Sequence, residues 1–123
     1  MDIRFLLERV IRHCGEIEAD IENFSQAAFE ADGKTQRAVY MSLHQIGELV
    51  ARLPEAFKAF YPELPWRGIR QMRNIISHEY IQIDRDIIWQ TVTQSIPGFA
   101  ENIAACLRAI ADGNAPAIYE KDN

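Results

Sequence analysis

Apolar residues in this chain recur three and four positions apart through long stretches that are otherwise charged, a period that builds one face of an α-helix and fits no strand. Ile3, Leu6, Val10, Cys14, Ile17, Ile21 and Phe24 mark a first long helix, and Val39, Leu43, Ile46, Val50 and Leu53 a second. Between them SQAAFEADGK reads as a short helix that stops at Asp32-Gly33, with Thr35 as the N-cap of the second long helix. Pro54, Pro62 and Pro65 bracket a short helical piece from Glu55 to Phe60, and Pro65 suits the first turn of a third main helix from Trp66 to about His78. Asp84 can cap a fourth, running through Ile87, Ile88, Val92 and Ile96 to Pro97-Gly98 and resuming through Phe99, Ile103, Leu107 and Ile110. Pro97 is expected to kink or restart it. The fold class is therefore all-α, an up-down bundle of four to five main helices. Residues 1–112 are expected to form a single domain and 113–123 a polar C-terminal tail.

The formal charge of −5 excludes a general polyanion binder, but it hides an asymmetry. Leu64 to His78 contains Arg67, Arg70 and Arg73 and no acid, so this segment carries +3 while the remainder carries −8. Ten of the 13 basic residues are Arg, the side chain suited to fixed, bidentate contact with phosphate or carboxylate. Cys14 and Cys106 lie far apart without CxxC spacing and read as buried, reduced thiols. His13, Cys14, His44 and Cys106 lack paired metal-ligand spacing, and the six glycines form no phosphate loop, so neither metal nor cofactor is expected. Charges interrupt every apolar run near the N-terminus, which predicts a cytoplasmic chain with no membrane partner.

The third main helix separates sharply into two faces. At about 100° per residue around Arg73, Ile69, Ile76, Met72 and Ile75 fall between about −40° and −160° and form one apolar arc. Ser77, Arg70, Asn74 and His78 fall between about 40° and 140°, and Tyr80 near −20° if the helix continues that far. A merely solvated face would look similar, with Arg73 paired to a glutamate of the first helix. Asn, Ser and His are, however, weaker helix formers than the Glu, Lys and Gln usual on a passive surface. Without a metal, these groups suit cleavage of an RNA phosphodiester by its own 2′-hydroxyl, which needs a base, an acid and a cation for the phosphate charge. A single such His per chain is a shortage that a two-fold homodimer would repair by joining two copies of the helix in one cleft.

Arg73-Asn74-Ile75-Ile76-Ser77-His78-Glu79-Tyr80 resembles the Arg, four residues, His, any residue, Tyr signature of the HepT toxin family in the HEPN superfamily. Thr35-Gln36-Arg37-Ala38-Val39, Ile46-Gly47-Glu48, Tyr61-Pro62, Pro65-Trp66-Arg67, Met72, Asp84 and Trp89 stand around it in similar order and spacing. The resemblance implies a dimerising HEPN-like helical bundle acting as a metal-independent endoribonuclease toxin that leaves a cyclic phosphate. It makes Arg73 and His78 the catalytic pair, with Asn74, Arg70 and Ser77 positioning substrate. It also implies a partner, an MntA-like nucleotidyltransferase antitoxin that uses ATP to AMPylate Tyr80, a bulky anion that would shut the cleft to RNA.

The chain departs from the family pattern in two places: Gln71, where a small residue is expected, and Met41-Ser42, which lacks the basic residue common there in relatives. Glu48 either lines the cleft or pairs with an arginine across the bundle. The competing function is a non-catalytic helical module that docks a nucleotide or a nucleotidyltransferase through the same face, and a third is a plain structural dimer.

Overall fold

The computed structural model describes residues 2–113; most of the expected tail, 114–123, lies outside them. Asp2 starts α1 (Ile3–Asp20) by accepting the Arg4 amide at 3.0 Å, and α1 sets Ile3, Leu6, Leu7, Val10, Cys14 and Ile17 into the core. The apolar stripe outlasts the helix: Ile21 and Phe24 still pack on the core, but the chain turns through Asn23 at φ 64°, a left-handed value that asparagine tolerates. Ser25 caps α2 (Gln26–Glu30), which contributes fully buried Phe29.

The second long helix, α3 (Gly33–Ala51), begins three residues earlier than its sequence suggests. Asp32, rather than Thr35, is the N-cap: its carboxylate accepts from the Lys34 and Thr35 amides at 3.2 and 3.4 Å and from the Thr35 hydroxyl at 3.0 Å. Thr35 is thereby a partner of the cap within the first turn. Those same bonds hold the Asp32 carboxyl below its ordinary range. The short α4 (Glu55–Phe60) lies between Pro54 and Pro62 as expected, and α5 (Trp66–His78) follows directly after Pro65, which is its N-cap rather than a member of its first turn.

After α5 the chain makes one 3₁₀ turn (Tyr80–Gln82), and Asp84 caps α6 (Arg85–Gln90) by accepting from the Asp86 and Ile87 amides. Pro97 restarts the last helix, as expected, from within its first turn. A π-helical turn (Thr91–Ser95) joins α6 to α7 (Ile96–Ala111), with the Ile96 amide reaching back to the Thr91 carbonyl. The wider turn absorbs the missing proline N–H and the bulk of its ring.

Helix α3 lies between α1 and α5, α1 also packs on α7, and a Trp66–Phe99 edge contact at 6.2 Å links the start of α5 to α7. No strand occurs among the described residues, so the expected all-α class holds. The core is one continuous apolar cluster drawn mainly from α1, α3 and α7, and α5 contributes only Ile76 to its buried residues. Cys14 and Cys106 are buried free thiols. No helix among the described residues is long and apolar enough to cross a membrane.

Candidate functional site on helix α5

Gly47 determines how closely α5 approaches α3. A Cβ at this position would come within 2.5 Å of Arg73 Cβ and 2.9 Å of its Cγ. The missing side chain lets the Arg73 stem lie on α3, leaving the guanidinium at the rim. There Arg73 Nε stands 3.9 Å from Glu48 Oε1, and its terminal nitrogen donates weakly to Asn74 Oδ1 at 3.4 Å. Of the two roles open to Glu48, pairing across the bundle is the one observed. The partner of Arg73 is therefore on α3, because that helix, not α1, faces α5.

His44 was not singled out for this site by the sequence. Its Nε2 lies 3.0 Å from Ser77 Oγ and 3.7 Å from Glu48 Oε1, so it joins the two helices at the edge of the motif. His13 instead meets Glu16 on α1 at 2.8 Å. The signal for His44 was available: His44 and Glu48 are four residues apart on one helical face and flank Gly47. No group of three or more His, Cys, Asp or Glu among the described residues is spaced to hold a metal ion.

The structure gathers Arg73, Asn74 and Ser77 with His44 and Glu48. Arg70, Asn74, Ser77 and His78 are all exposed, as the two-faced layout requires. Among the described residues, the His78 side chain makes no hydrogen bond or ion pair, and it lines a shallow depression with Ser77 and Tyr80. Tyr80 does not follow the helical layout, because α5 stops at His78 and the 3₁₀ turn redirects the chain. Its half-exposed ring meets Tyr40 edge-on at 5.9 Å and borders a second depression beside Arg37 and Arg85. Burial pushes the Tyr40 hydroxyl up, with Arg85 pulling in the opposite direction. Of the two departures from the family pattern, Gln71 and Met41 are exposed, whereas Ser42 is buried in α3.

A family model described as "Ribonuclease HepT-like" matches residues 10–106. The chain belongs to the HepT-like ribonuclease family. Among similar proteins, "Putative RNase MJ0127" of Methanocaldococcus jannaschii is 34% identical over 89% of this chain and 90% of its own length. "Probable ribonuclease HepT" of Thermococcus cleftensis is 42% identical over 56% of this chain and 63% of its own. No solved structure matches the chain. Within this HepT-like frame the motif is split between a restrained arginine, held by Gly47 and Glu48, and a histidine open to solvent. The first geometry fits the holding of an anion and the second fits proton transfer to a bound molecule.

Proposed function

We propose that this chain is a metal-independent endoribonuclease and the toxin of a toxin-antitoxin pair. The observation that carries the reading is the exposed face of α5, where His78 stands without an internal partner one and a half turns beyond Arg73, in a chain of the HepT-like ribonuclease family. Arg73 holds the scissile phosphate while Asn74, Arg70 and Ser77 position the strand. His78 accepts the proton of the 2′-hydroxyl as its oxygen attacks phosphorus. The bond from phosphorus to the 5′-oxygen breaks, and that oxygen takes a proton from the second histidine supplied by a homodimer. The products are a 2′,3′-cyclic phosphate and a free 5′-hydroxyl, so atoms and protons balance without a metal.

An MntA-like nucleotidyltransferase antitoxin would transfer AMP from ATP to the Tyr80 hydroxyl, releasing pyrophosphate. Half exposure of that side chain, directly after the motif, supports the assignment. The added phosphate and nucleoside would repel and obstruct RNA beside His78. RNA as substrate also makes the cytoplasm the site of action.

Purified chain incubated with single-stranded RNA in EDTA is expected to release fragments ending in 2′,3′-cyclic phosphate. Activity that disappears in EDTA and returns with magnesium, or fragments ending in free 3′-hydroxyls, contradicts the mechanism. Co-expression with the nucleotidyltransferase is expected to add AMP to Tyr80, seen by mass spectrometry, and to stop cleavage. AMP found elsewhere, with cleavage still arrested in Tyr80→Phe, would remove the assigned switch.

A further inference from the structure

A half-open hollow of about 460 Å³ lies away from His78, between the C-terminal half of α3, helix α4 and the stretch of α5 from Trp66 to Arg73. Its lining includes Lys58, Arg67, Arg70 and Arg73, against the single carboxylate of Glu55. Lys58 has structural duties: its Nζ pairs with Glu55 at 3.0 Å and donates to the Val50 carbonyl at 3.4 Å. The Arg67 and Arg70 side chains make no hydrogen bond or ion pair among the described residues and are exposed. Trp66 adds a fixed aromatic wall, its indole N–H donating to the Lys58 and Tyr61 carbonyls at 3.0 and 2.9 Å.

We propose that this groove is a backbone subsite for the RNA strand flanking the cut, in which Arg67 and Arg70 bind phosphates neighbouring the one held by Arg73. The proposal rests on the ribonuclease reading and extends it to a surface outside the motif. A rise of 1.5 Å per residue sets Arg67, Arg70 and Arg73 about 4.5 Å apart along the axis. They form a row of planar cations that leads away from His78. Arg73 belongs to both the groove and the catalytic face, so a strand held at Arg73 enters the groove without crossing the acidic remainder of the molecule. Guanidinium groups match phosphate oxygens in pairs, and an aromatic wall beside them suits a base or a ribose. An acidic protein segment would find the same charges, but continuity with Arg73 favours RNA.

The test uses the full chain carrying His78→Ala, so that RNA remains intact, and follows binding of a labelled dinucleotide and a longer single-stranded RNA by fluorescence anisotropy over a range of salt. Each lost phosphate contact lowers the slope of log affinity against log salt by about 0.7 for single strands, or about fivefold in affinity per decade of salt. Arg67→Ala is expected to show that loss on the longer RNA and a much smaller one on the dinucleotide, and Arg67→Lys to restore most of the slope. Unchanged slope and affinity on the longer RNA overturn the proposal, as does an equal loss on both lengths. Binding of an acidic peptide that Arg67→Ala abolishes, with RNA binding intact, would assign the groove to a protein partner and also overturn it. A wild-type chain that cleaves no RNA refutes the ribonuclease reading, whereas a chain that cleaves yet keeps its salt slope in Arg67→Ala refutes the subsite alone.

Discussion

Helix α1 spans 18 residues and buries Ile3, Leu6, Leu7, Val10, Cys14 and Ile17, whereas α5 spans 13 and buries Ile76 alone. Both carry an apolar stripe at helical spacing, yet the two stripes are used differently. That of α1 packs against both α3 and α7. That of α5 packs chiefly on α3, and its other face bears Arg70, Asn74, Ser77 and His78. The difference separates two jobs: α1 supplies cohesion, and α5 is held firmly enough to present side chains that contribute little to holding it.

Truncation within the two stripes tests this separation most severely. Leu7→Ala, at a site without solvent exposure, should cost about 2–5 kcal/mol of stability by urea unfolding, and Ile76→Ala should fall at or below the lower end of that range. Equal losses would mean that α5 is as much a part of the core as α1.

Gly47→Ala strikes the contact on which α5 depends. The new methyl meets the Arg73 stem, so a loss of about 1–3 kcal/mol is expected together with weaker cleavage, because Arg73 must move. Wild-type stability and rate in this variant would show that the close approach is not needed.

The core also has a pH signature. Burial, with a contribution from Glu18, pushes the Cys14 thiol up to about 12 from its ordinary 9.0. The unfolded thiol therefore loses its proton first, and the folded chain holds more protons between those values. Stability should decline as pH rises above about 9 and go on declining toward about 12. Denaturant midpoints across that range should show the fall, reduced in Cys14→Ala; a flat profile would contradict the buried thiol.

The smallest effect is expected at His44, which steadies Ser77 from α3. Loss of one hydrogen bond of about 0.5–1.5 kcal/mol corresponds to roughly a twofold to tenfold change. His44→Ala should therefore slow cleavage by about that factor, and His44→Asn should recover part of the rate. A loss as deep as that of His78→Ala would make His44 a proton-transfer group in its own right.

The parts of the fold that could be read from sequence are those set by local chemistry. Prolines mark out Glu55–Phe60 and the start of Trp66–His78, and the Asp84 cap depends on amides only two and three residues away. Asp32 and Thr35 are both good caps, and the sequence alone does not rank them; three hydrogen bonds to one carboxylate decide the matter in the structure. Arg73 and its neighbours were legible as a face because a single helix defines them. Gly47 and His44 matter through a second helix, and a helical layout of α5 contains no information about what lies across from it. Tyr80 departs from that layout because the helix ends at His78.

Proton transfer is assigned to His78, an exposed side chain that does not support the fold, and this assignment carries the proposed mechanism. It is tested most directly by measuring, on the same preparations, the melting temperature and the RNA cleavage rate in EDTA for wild type and His78→Ala. The rate should fall by roughly 100-fold to 10,000-fold while the melting temperature stays within a degree or two, since an exposed side chain without an internal partner is removed. Cleavage that persists at the wild-type rate in His78→Ala, or that falls only in step with a lowered melting temperature, would contradict the account.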